Sequence, residues 1–110
     1  MSINYKFNEW RVEGEKAKPF SGNGYKLLRC NLNSSILNGF TIGQVLYCHH
    51  VKGLSVSEIR KNIGVALTGP MIRSVIKGFG RNAGWETIQA YNLFMEMLRD
   101  EPEVLDAIYS

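Results

Sequence analysis

The sequence predicts an α+β fold, mainly α: an N-terminal β-hairpin followed by a helical domain that contains a helix-turn-helix. Three observations carry this expectation. Apolar residues alternate with polar ones in residues 1–32, at Ile3, Tyr5 and Phe7 and again at Leu28, Cys30 and Leu32, which is the period-two signal of half-buried strands. From Thr41 the apolar spacing changes to three and four, the signal of helices. Between residues 53 and 78, GLSVSEIRKNIGVALTGPMIRSVIKG, capping residues and glycines stand where two short helices joined by a turn would need them.

Taking the elements in order, Gly14, Pro19 and the run Ser21-Gly22-Asn23-Gly24 supply the turns of the hairpin region. Asn33-Ser34-Ser35 offers an N-cap for a short helix that Gly39 would stop. Ile42, Val45, Leu46 and His49 then form one stripe of a helix ended by Gly53. Ser55 stands three residues before Glu58, the spacing of a capping box, so the next helix begins at Val56, buries Ile59 and Ile63, and closes at Gly64. Thr68 caps a third helix with Pro70 in its first turn, Ile72, Val75 and Ile76 inward, and Gly78 and Gly80 at its end. The fourth helix, from about Gly84 to Arg99, presents Trp85, Ile88, Tyr91, Met95 and Leu98 as its buried stripe, with Pro102 as its stop. A last turn carries Val104, Leu105 and Ile108.

A chain of 110 residues with 45% apolar and 21% charged residues has enough material for one core and too little for two, so 1–110 is read as a single domain, with regions 1–32, 41–78 and 84–109. The apolar runs are far shorter than the ~20 residues a bilayer needs, which argues against a membrane partner. The N-terminus lacks an apolar segment of secretory type, so a cytoplasmic location is expected. In that compartment Cys30 and Cys48 read as small buried hydrophobes rather than a disulfide.

Charge divides the chain. Residues 31–82 hold Lys52, Arg60, Lys61, Arg73, Lys77 and Arg81 against Glu58 alone, whereas residues 83–110 hold six acids against Arg99. A basic middle points to an anionic partner; the competing reading is that the two halves neutralise each other within the fold or across a dimer.

The string T-I-G-Q-V-L-Y-C-H-H-V-K-G-L-S-V-S-E-I resembles the opening of the helix-turn-helix in sigma-factor region 4 and related homeodomain-like bacterial or phage regulators. The resemblance covers residues 41–78. Ile59, Ile63, Gly64, Val65, Ile72 and Val75 match the family's apolar and turn positions. Two features depart from it: Arg60 stands where the family has a small residue, and the turn Ala66-Leu67-Thr68-Gly69-Pro70 contains about two extra residues.

The resemblance implies binding of double-stranded DNA, with the helix at 69–77 in the major groove, in a small transcriptional or phage regulator. Met71, Arg73, Ser74 and Lys77 lie off its apolar face and would meet bases or phosphates, Arg73 being the candidate for a bidentate guanine contact. Thr68 and the free amides at the helix start would hold a phosphate, and Lys52, Lys61 and Arg81 would add sequence-independent attraction. Taken singly, each basic residue is better read as a solvated surface charge; taken together on a helix-turn-helix, they favour binding.

Tyr5-Lys6-Phe7, Trp10-Arg11 and Tyr25-Lys26 alternate rings with cations, the pattern of a half-buried strand and also of a nucleic-acid surface. A structural RNA-binding role is a third reading.

Leu93, Phe94 and Met97 give the fourth helix more apolar surface than one face requires. Either the helix is central to the core, or this second stripe pairs with another copy or a host protein. The second possibility carries an alternative function, a protein-binding module such as a phage-encoded inhibitor of a host complex.

Enzymatic chemistry is not expected, nor a cofactor or metal. Cys48-His49-His50 are consecutive on a helix, point about 100° apart, and do not converge on one ion. No serine or cysteine stands in a motif that would activate it.

Overall fold

The computed structural model describes residues 22–31, 36–63, 67–78 and 85–110, and every regular element among them is helical. They form α1 (Asn23–Arg29), α2 (Gly39–His50), α3 (Val56–Ile63), α4 (Gly69–Lys77), α5 (Trp85–Asp100) and α6 (Pro102–Tyr109). The expected α+β class is therefore overturned in the described part of the chain. Residues 1–21 and Leu32, which carry the rest of the expected hairpin, lie outside the described residues.

The physical reason for the correction is Leu27. In a strand that buries Leu28 and Cys30, Leu27 would face water together with Arg29. In α1, Gly24, Leu27 and Leu28 fall on one helical face, and both leucines are buried against α2 and α5. Arg29 folds back along the opposite side, donating to the Tyr25 hydroxyl at 2.7 Å with its guanidinium 5.4 Å from the ring centre. Asn31, at φ 49°, turns the chain out of α1. Its N–H donates to Glu86 at 2.8 Å and its amide to Thr87 at 3.1 Å, fixing α1 to α5.

Gly39 begins a helix where a stop was expected. Asn38 is the N-cap: its side-chain oxygen accepts from the Thr41 N–H at 2.9 Å and from the Thr41 hydroxyl at 3.1 Å. The Gly39 N–H donates to the Cys30 carbonyl at 2.6 Å, so the two backbones touch, and a Cβ at this position would overlap the Leu27 carbonyl oxygen. A glycine is needed here for close approach, which the sequence alone does not distinguish from a helix stop.

α2 is the central helix. It contacts each of the other five, and Phe40, Thr41, Ile42, Val45, Leu46, Tyr47 and Cys48 are all buried. A helix covered on nearly all sides is core by construction. α6 closes over one flank. Its Tyr109 ring packs against Phe40 and Tyr47 at 5.2 and 5.6 Å, and the Tyr47 hydroxyl donates to Asp106 at 2.8 Å. α5 ends at Asp100, as expected of Pro102, because a proline disfavours the helical conformation at the residue before it, and Glu101 stands at φ −140°. Pro102 is also the first residue of α6, where a missing N–H is harmless.

α5 runs across α1 and α2 and buries a different face from the one expected. Thr87, Ala90, Phe94 and Met97 are inside, while Ile88 is 38% exposed and Tyr91, Met95 and Leu98 are half-buried. The stripe of Phe94 and Met97, a candidate surface for a second copy or a host protein, is thus part of the chain's own core. Of that set only Leu93 retains partial exposure.

Candidate nucleic-acid interface

α2, α3 and α4 contact one another in all three pairings, which makes them one trihelical unit. α3 starts with a reciprocal capping box. The Glu58 N–H donates to the Ser55 hydroxyl at 3.2 Å, and the Ser55 N–H donates to the Glu58 carboxylate at 3.1 Å. These bonds hold the Glu58 carboxyl below the usual range, the backbone donor contributing most and Lys61 a smaller part. Ile59 is the fully buried side chain of α3, with Val56 and Ile63 half-buried beside it. Ser57, Glu58, Arg60, Lys61 and Asn62 consequently face outward. Arg60 does not prise α3 and α4 apart, because its bulk lies in solvent.

Leu67, 1% exposed, anchors the turn into the core, and Thr68 caps α4 by accepting from the Met71 N–H at 3.3 Å. Gly64, Val65 and Ala66 lie outside the described residues. Ile72 and Val75 are buried as their spacing requires. The helix ends at Gly78 in the left-handed conformation, φ 76°, with its N–H donating to the Val75 carbonyl at 3.1 Å. The Tyr91 ring stands 2.7 Å from where a Cβ on Gly78 would be, so both backbone angle and space select glycine.

On the outer side of α4, Pro70, Arg73 and Lys77 are exposed along one stripe, with Ser74 half-buried at its edge. Met71, expected to point outward, is half-buried against the core and is a poorer contact residue than its neighbours. Ile76, expected inward, is also half-buried. Lys52 is exposed just beyond α2, its ammonium 5.9 Å from the Tyr47 ring centre. Arg81 lies outside the described residues.

Between α3 and the start of α4 is an open groove of about 700 Å³, lined by Ser55, Val56, Ser57, Arg60, Lys61, Gly69 and Arg73. Lys61 was expected to add sequence-independent attraction and Arg73 a base contact; the fold places both beside one groove, together with Arg60. Among the described residues the one ion pair is Arg99–Asp100 at 2.8 Å on α5, so Arg60, Arg73 and Lys77 have no ion-pair partner there.

Elsewhere the chemistry is subdued. No group of three His, Cys, Asp or Glu side chains among the described residues is arranged to hold a metal. Burial pushes the thiols of Cys30 and Cys48 up, away from the reactive thiolate. No helix among the described residues is long and apolar enough to cross a membrane.

The His49 and His50 rings meet edge to face at 4.8 Å, and His50 lies 6.4 Å from Phe94. Desolvation, and then His49, lower the His50 pKa below its ordinary value. The folded state therefore favours the neutral ring, and the unfolded state binds the proton more readily. Stability from this group is present above the unfolded pKa of about 6.5 and declines as pH falls through it. Urea midpoints at pH 7.5 should exceed those at pH 5.5, a window above ordinary carboxylate titration, and His50→Gln should flatten the difference. An unchanged difference in the variant would assign it to other groups.

Comparison of the chain with protein-family models, with curated proteins and with solved structures finds no match, so the resemblance to helix-turn-helix regulators rests on residues 41–78 themselves.

Proposed function

We propose that the protein binds duplex DNA through α3 and α4, with α4 entering the major groove, in the manner of a small regulator. The observation that carries this reading is the outer surface of α4 and its adjoining groove. Arg73 and Lys77 are exposed on α4, Arg60 and Lys61 are exposed on α3, and the one acidic side chain of residues 52–78, Glu58, is held in its own capping box. A surface of this kind pays an electrostatic penalty when empty and gains by displacing counterions from a polyanion. The burial of Ile72 and Val75 leaves the opposite side of α4 free to approach a groove wall, as a reading helix requires.

Fluorescence anisotropy with a labelled duplex of arbitrary sequence provides the test. About four to five phosphate contacts would make affinity fall roughly 10²- to 10³-fold between about 50 and 200 mM salt. Absence of binding at the lower salt would overturn the reading.

A further inference from the structure

The groove between α3 and α4 divides the cations of this surface into two groups. Lys77 projects from the outer stripe of α4, as the last residue of the helix. Arg73 does not simply project beside it. Its guanidinium folds back along the helix over the first turn, with its terminal nitrogens 3.4 and 3.6 Å from where a Cβ on Gly69 would stand. There it lines the same groove as Arg60, Lys61, Ser55 and Ser57. A guanidinium at the positive end of a helix, facing further cations, is electrostatically unfavourable unless an anion sits between them. Arg60 and Arg73 have no ion-pair partner among the described residues, and Glu58 does not line the groove.

The geometry points to a phosphate-binding cleft, in which Arg60 and Arg73 take one backbone phosphate of the duplex between them. This rests on the DNA-binding reading, and it reassigns Arg73 from a base contact to a positioning contact on the backbone. A guanidinium offers paired N–H donors matched to phosphate oxygens, and two of them from different helices fix the protein's register on the strand. Lys61 adds charge at the rim. The absence of a side chain on Gly69 leaves the Arg73 guanidinium uncrowded over the first turn of α4. Arg60, which departs from the helix-turn-helix pattern, then has a specific role that a small residue could not fill.

The test is a salt series on two unrelated duplexes with the wild type, Arg60→Met, Arg73→Met, the double variant and Gly69→Ala. Methionine keeps the aliphatic stem and removes the charge. Gly69→Ala suits a helix and meets Arg73 only at ordinary contact distance, so it should fold. Circular dichroism melts check each variant. Each single arginine variant should bind both duplexes about 5- to 20-fold more weakly, with a salt slope smaller by about 1. The double variant should lose less than the product of the singles, because the two side chains share one phosphate. Gly69→Ala should also bind both duplexes more weakly.

Wild-type affinity in Arg60→Met, or a loss in Arg73→Met confined to one duplex, would overturn the cleft while leaving DNA binding intact. If the wild type binds neither duplex, the DNA reading falls. In that case the phosphate cleft stands only if inorganic phosphate shifts the Ser57 and Gly69 amide resonances in the wild type and not in Arg60→Met; no shift ends both.

Discussion

Phe94→Ala should destabilise the protein by about 3–5 kcal/mol, a large part of the roughly 5–15 kcal/mol that holds a domain of this size together. Phe94 is fully buried on the inner face of α5, in the core shared with α2. The variant should show a much lower denaturant midpoint, or no cooperative transition at all. Ile88→Ala on the same helix is the control. Ile88 is 38% exposed, so its truncation removes little buried area and should cost less than about 1 kcal/mol. The reverse order of effects would mean that α5 packs with its other face inward. The same comparison bears on function: a loss of partner binding on changing Phe94 or Met97 would report unfolding rather than a lost interface.

α5 shows why some of this architecture was legible in the sequence and some was not. Its helical period is plain, but it carries two apolar stripes, one through Ile88, Tyr91, Met95 and Leu98 and one through Ala90, Phe94 and Met97. Which of them is buried depends on α1 and α2, far away in the chain. Thr87 and Ala90, small residues that allow close packing, are the local hint that the second stripe faces inward. α3 and α4 were legible because their ends are set locally, by Ser55 with Glu58, by Thr68, and by Gly78. Each of these signals acts within four residues and needs no tertiary partner. α1 was misread because an alternation of two or three residues weighs little against one adjacent apolar residue, Leu27. Gly39 was misread because its role, contact with the α1 backbone, exists only in the folded state.

The candidate site divides the same way. The exposure of Arg73 and Lys77 follows from the inward spacing of Ile72 and Val75, so it could be read from one helix. The meeting of Arg60 with Arg73 could not, since it depends on how α3 lies against α4. In the sequence Arg60 therefore stands out only as a departure from the helix-turn-helix pattern, while in the fold its side chain is exposed beside the groove.

Arg73→Ala combined with Lys77→Ala should reduce duplex affinity by about 30- to 1,000-fold at moderate salt, which corresponds to roughly 2–4 kcal/mol for two lost charge-assisted contacts. Both side chains are exposed and neither has an ion-pair partner among the described residues, so little folding energy depends on them. Lys77 does sit in the last turn of α4, where a cation favours the negative helix end, and its removal should cost about 0.3–1 kcal/mol. Thermal melts should accordingly move by only a few degrees. Arg99→Ala makes the matching control: it also removes a positive charge, but from α5, where Asp100 already holds the guanidinium at 2.8 Å. If net charge alone governed binding, Arg99→Ala would weaken it about as much per charge as the α4 substitutions do. Binding that survives Arg99→Ala and is lost with Arg73 and Lys77 would place the DNA on α4. Equal losses would leave only diffuse attraction, and wild-type affinity in a folded double variant would remove α4 from the interface altogether.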